Sequence, residues 1–183
     1  MRWDDVFADL EGQLAAAGQL DREAQVAELV RAEQGAIALE DRLRGQGETP
    51  VHVMLAGGVR FRGTLRQISD AWFILESAPH SVLVPLRSVV TVAGLGRRSR
   101  TEASTVRRTR SLASALRTLA RDRALVTCFL QSGLSEPLTV IGTIDTVGAD
   151  YLEVMPVHGR NGSGVGGAVA VPFGALIAVR SGG

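Results

Sequence analysis

The sequence predicts a mostly-β α+β protein: an N-terminal helical segment, then two tandem five-stranded small barrels with a linker helix between them. Three observations carry that expectation. Near residue 50 the apolar residues change from helical spacing to alternation. Five short strand-like runs follow, the density of a small barrel. The same pattern then returns later in the chain at a fixed offset. The expected divisions are 1–46 for the helical segment, 47–96 for the first barrel, 97–123 for a basic linker with a short helix, and 124–183 for the second barrel.

Residues 1–45 read as helix. Trp3, Val6, Phe7, Leu10 and Leu14 recur every three or four residues and share a face, which makes them candidates for docking a partner. Gly18-Gln19-Leu20-Asp21 breaks the pattern, and Asp21 suits the N-cap of a second helix. That helix carries Val26, Leu29, Val30, Ala36, Ile37, Leu39 and Leu43, and Gly45 and Gly47 end it. A two-helix hairpin and a long helix packed on another subunit both fit. So does a stripe that covers the chain's own barrel.

From residue 50 Val51, Val53 and Leu55 alternate with His52 and Met54, and Ala56-Gly57-Gly58 supplies a turn. Val59, Phe61 and Leu65 then alternate with Arg60, Arg62 and Thr64. The alternation slips between Leu65 and Ile68, which predicts a bulge in a bent strand. Trp72-Phe73-Ile74-Leu75, Val82-Leu83-Val84 and Val89-Val90-Thr91-Val92 complete the set.

The repeat is read residue by residue. Gly63 to Trp72 matches Gly142 to Tyr151 at an offset of 79. Val84-Pro85-Leu86 matches Val171-Pro172-Phe173, and Val89 to Val92 matches Leu176 to Val179, both at an offset of 87. Eight residues are therefore inserted in the second copy, in the Gly-rich stretch 158–167. Val51, Val53 and Leu55 fall opposite Val126, Cys128 and Leu130, so Cys128 is expected as a buried structural thiol. Leu112, Leu116 and Leu119 mark a short helix from Ser111 to Asp122.

The order helix, strand, Gly turn, bent strand and final hydrophobic strands resembles the Sm-like family, including its bacterial Hfq branch; small SH3-like barrels share a similar pattern. In the first copy the matching residues are Gly58, Gly63, Leu65, Ile68, Leu75, Leu86, Arg87 and Val89. The resemblance covers residues 50–93 and, more weakly, 125–180. It implies strongly bent five-stranded barrels that join by pairing strand four of one copy with strand five of the next, and binding of single-stranded RNA. The chain departs from the family where Asp and Asn are usual: Ser69 and Phe73 stand there in the first copy, Gly148 and Leu152 in the second. Arg87 keeps the basic loop position, which is Gly174 in the second copy.

No catalytic constellation stands out, and the expected function is not enzymatic. His52, His80 and His158 lie in separate segments without metal-ligand spacing; His52 should point outward, while His80 and His158 read as loop residues. One cysteine excludes an internal disulfide and a multi-cysteine zinc site. No cofactor, metal or membrane contact is implied. No apolar run approaches the roughly 18 residues of a bilayer span, and Met1 to Asp5 begins no secretory signal, so a cytoplasmic protein is expected.

Charge is segregated. Residues 1–48 hold eleven Asp/Glu against five Arg, and residues 97–123 hold nine Arg against Glu102 and Asp122. Arg60, Arg62 and Arg66 share one parity on the second strand and should project from one face; Thr139, Ile141 and Asp145 replace them in the second copy. With Arg87, Arg97, Arg98, Arg100, Arg107, Arg108 and Arg110 they form a candidate nucleic-acid surface. Aromatic interleaving is poor, because Trp72, Phe73 and Tyr151 should face the cores. Two functions are expected to compete: RNA binding by the first barrel and linker, or an adaptor that oligomerises through barrel edges and docks a protein partner through its N-terminal helices. Either reading expects a homo-oligomer.

Overall fold

The computed structural model describes residues 19, 22, 24–133, 136–157 and 167–182. The chain divides into two compact units at Ala38/Leu39, and each is described by itself. In the first, residues 24–35 form helix α1. It ends where the Ala36 N–H is shared between the Ala32 and Glu33 carbonyls. The single second helix expected as far as Leu43 is thus broken at 36–38, next to Gly35, whose backbone freedom disfavours helix.

The second unit opens with α2 (Leu39–Arg44), followed by β1 (Val51–Leu55), β2 (Arg60–Ile68), β3 (Trp72–Ser77), β4 (His80–Pro85) and β5 (Val89–Ala93). Helices α3 (Thr105–Arg108) and α4 (Leu112–Arg121) lead to β6 (Leu125–Leu130), β7 (Leu138–Val147), β8 (Tyr151–Pro156), β9 (Val169–Pro172) and β10 (Leu176–Ser181). His80 therefore opens a strand rather than sitting in a loop. Two short 3-10 turns, Leu86–Ser88 and Phe173–Ala175, occupy equivalent places before β5 and β10.

Local chemistry explains the elements. Val51, Val53 and Leu55 of β1 are buried while His52 is exposed, the period of a strand with one face on a core. β2 shifts register between Leu65 and Ile68, and β7 shifts between Ile144 and Thr146, so each long second strand bends at the expected bulge. Just before each bend the backbone crosses its neighbour closely. A side chain at Gly63 would strike the Glu76 carbonyl, and one at Gly142 the Met155 carbonyl. α4 begins at Ser111, whose hydroxyl accepts the Ser114 N–H, and it buries Leu112, Ala113 and Leu116.

All strand pairs are antiparallel, and they form a ten-stranded sheet in the order β5-β1-β2-β3-β4-β10-β6-β7-β8-β9. The chain is thus a mostly-β α+β protein with an N-terminal helix. The expected pair of separately closed barrels is corrected here: the sheet does not close. β4 spends its outer hydrogen-bonding edge on β10, with Val179 opposite Leu83, Arg180 opposite Val82 and Ser181 opposite Ser81. A strand has only two edges, so β4 cannot also pair with β5.

The repeat survives as two five-strand halves with the same internal order. Each has its own core, and the cores interlock at the joint. Trp72 and Leu83 of the first half pack among Leu116, Val126, Ile144 and Leu152 of the second. Ile177 and Ala178 of β10 pack among Val53, Phe73 and Val84 of the first. The buried Ser88 hydroxyl lies 2.7 Å from both the Pro85 and Ile177 carbonyls, and its single proton serves one of them at a time.

Candidate functional site: an arginine cleft and two open sheet edges

Arg44 at the end of α2 has a side chain only 4% exposed, bonded to Asp41 at 2.7 Å and Asp70 at 3.0 Å. Burying a guanidinium is tolerable because both carboxylates compensate its charge. Its Nε–H is buried with no hydrogen-bond partner among the described residues. Asp70 also anchors the linker: its N–H donates to the Arg108 carbonyl at 2.9 Å, and its carboxylate lies 3.5 Å from Arg108 Nε. The Trp72 indole N–H donates to the Arg110 carbonyl at 2.8 Å, and the Arg100 N–H to the Asp41 carbonyl at 2.9 Å. These bonds lay the linker over the bend of β2.

The result is a cleft of about 580 Å³ lined by Arg44, Arg66, Arg100, Arg107 and Arg110, with Glu48 and Glu102 as its acidic residues. Leu43, Leu65, Ile68 and Trp72 supply its apolar wall. Arg66 bonds to Glu76 on β3 and to Glu48, contacts that raise its pKa above the ordinary guanidinium value, the Glu76 bond contributing most. The side chains of Arg100, Arg107 and Arg110 make no ion pair or hydrogen bond with a described residue.

The arginines expected on one face are thus divided. Arg60 and Arg62 lie opposite Met54 and His52 and line a separate, shallow concavity of about 430 Å³ with Phe61 and Thr91, without a carboxylate among its described lining residues. Within the bulge between Leu65 and Ile68, Arg66 belongs to the cleft with Arg100, Arg107 and Arg110. Arg108 sits beside it on Asp70. Arg97 and Arg98 are exposed and line neither concavity. Arg87, exposed on its 3-10 turn, has its pKa lowered by partial desolvation. Arg44 is the residue that sequence reasoning missed. The available signal was Asp41 one helical turn before it, beside the buried Leu43.

Trp3, Val6, Phe7, Leu10 and Leu14 lie outside the described residues, as do His158 and the Gly-rich residues 159–166. Cys128 is fully buried, and burial pushes its thiol up to about 12. Tyr151 does not face a core as expected but is 37% exposed, whereas its counterpart Trp72 is 2% exposed. The physical reason lies at the joint: Trp72 packs among residues of the second half, whereas Tyr151 lies on the half whose outer strand pairs with no further described strand.

Among the described strands the sheet has two open edges, β5 and β9, repeat counterparts of the paired strands β10 and β4. Val90 is 58% exposed while its counterpart Ile177 is 1% exposed. On β9 Ala170 is exposed, whereas its counterpart Leu83 is buried. No group of three potential metal ligands occurs among the described residues, and no described helix is long and apolar enough to cross a membrane. Comparison of the chain with protein-family models, curated proteins and solved structures finds no match to any of them.

Proposed function

We propose that this chain is a non-enzymatic assembly protein: two five-strand halves of Sm-like strand order, already joined edge to edge in one open sheet, that join further copies in the same manner. The observation that carries this reading is the β4–β10 joint. It pairs strand four of the first copy with strand five of the second, the pairing by which Sm-like barrels associate. The outer strands β9 and β5 are a strand four and a strand five left open. The same operation repeated between chains would set Val92 opposite Ala170, Ala93 opposite Val169 and Gly94 opposite Ala168. Pro172 does not obstruct this ladder, because its counterpart Pro85 lies beyond the residues that β4 pairs with β10.

Unpaired backbone groups on an edge strand favour such addition. Each joint would also cover the apolar side chains that the free edges expose. Light scattering across a concentration series tests the proposal: a mass rising in steps of 19.4 kDa supports it. A mass fixed at one chain at every concentration rejects it.

RNA binding is the second reading, favoured by the concavity of Arg60, Arg62 and His52, which carries positive charge with no acidic residue among its described lining residues. This surface adjoins the β5 edge, so an assembled protein would present it repeatedly. Weaker RNA retention at higher salt, lost in the Arg60→Gln/Arg62→Gln variant, is the expected outcome; equal retention by that variant counts against it.

A further inference from the structure

We infer that the arginine cleft beneath the linker is a binding site for a small phosphorylated molecule of nucleotide size, separate from both the sheet edges and the Arg60/Arg62 surface. Three features of the cleft converge on this chemistry. Arg100, Arg107 and Arg110 bring guanidiniums that no described carboxylate neutralises, and phosphate oxygens are the acceptors that planar, permanently charged forks match best. Arg44 lines the same cavity with its side chain only 4% exposed and its Nε–H unpartnered among the described residues, so a buried donor there lacks a described acceptor. The volume of about 580 Å³ far exceeds a lone phosphate and falls among small-molecule sites.

The two concavities differ in a way that separates the ligands they suit. The Arg60/Arg62 surface is shallow and open along the sheet. The cleft is bounded by α2, the bend of β2 and the linker, and the linker is held in place by main-chain bonds to Asp41, Asp70 and Trp72. The backbone that carries its linker arginines is thus held around a recess instead of along a track. Leu65 and Ile68 in the wall suit the non-phosphate part of a ligand, while Glu48 and Glu102 disfavour indiscriminate binding of polyanions.

The test is calorimetric titration of the full chain at low salt with inorganic pyrophosphate, ADP, adenosine, and an RNA oligonucleotide lacking terminal phosphates. Pyrophosphate and ADP should bind and adenosine should not. The Arg107→Gln/Arg110→Gln variant should bind ADP at least about tenfold more weakly, the loss of one charge-assisted hydrogen bond or more. Both arginines are exposed, so its circular dichroism should match wild type. The Arg60→Gln/Arg62→Gln variant should bind ADP as wild type does. In an independent readout, the Arg44 Nε–H resonance should shift as pyrophosphate is added. Absence of pyrophosphate and ADP binding, unchanged affinity in the Arg107/Arg110 variant, or binding of RNA alone would each overturn the assignment.

Discussion

β10 and β5 hold the same place in the two repeats, yet they live in opposite environments. In β10, Leu176 and Val179 pack into the second core while Ile177 and Ala178 pack into the first, so the strand is buried on both faces. β5 pairs with β1 on one side and with no described strand on the other, and Val90 and Thr91 are exposed. β4 and β9 differ in the same sense. The internal joint therefore shows what an edge of this protein becomes once a neighbour occupies it. The contrast is one of partners rather than of strand type: local pattern makes the strand, and the neighbour decides how much of it is buried.

The largest effect should come from placing one charge at both members of a matched pair. Ile177→Asp puts a carboxylate into the first core at the joint, at a cost of several kcal/mol that should unfold the chain. Val90→Asp should leave the fold intact by circular dichroism, because the site is exposed in the single chain. It should nonetheless weaken association by about 3 kcal/mol, roughly a hundredfold in dissociation constant by analytical ultracentrifugation. Equal unfolding by both variants would erase the distinction between joint and edge.

A smaller effect is expected at the other strand of the joint. Leu83→Ala removes a side chain packed into the second core and should cost about 2–5 kcal/mol in urea unfolding. Because the cores interlock, intrinsic tryptophan fluorescence and far-ultraviolet dichroism should report one transition. Two separated transitions would mean that the halves fold independently.

The smallest effect concerns Cys128 and its counterpart Val53. Burial raises the folded thiol's pKa from the ordinary value to about 12, so between about pH 9 and 12 the unfolded chain releases a proton that the folded chain retains. This contribution to stability is whole below pH 9, declines across that window and levels off above it. Cys128→Val should change stability little at pH 7 and flatten the decline; an unchanged slope would assign it to other groups.

Much of the sheet was legible in the sequence because its information is local. Alternation located β1, the slip between Leu65 and Ile68 located the bend, and the fixed offset located its copy. Closure was not legible. The choice of β4 between β5 and β10 turns on a contact about a hundred residues distant along the chain, with the same apolar run serving either partner. One trace of it was present: Leu176-Ile177-Ala178-Val179 is apolar without alternation, the pattern of a strand buried on both faces. Equal parity placed Arg60, Arg62 and Arg66 on one surface, but the bend carries Arg66 to Glu76 and Glu48. The cleft depends on the linker's path over that bend, which the bonds of Asp70 and Trp72 set and which no spacing rule encodes.

Edge pairing between chains is tested most directly by a cysteine pair set at the expected register. Ala93→Cys with Val169→Cys occupies the places that Arg180 and Val82 hold at the internal joint. Directly opposed residues on antiparallel strands lie about 4.5–5.5 Å apart, within reach of a disulfide. The buried, inert Cys128 should take no part. Mild oxidation should then give a ladder of products in steps of 19.4 kDa on a non-reducing gel. Ala93→Cys with Ala170→Cys, shifted by one residue onto the opposite face, should give none. A single band at one chain's mass for both pairs, or equal ladders from both, would contradict the account.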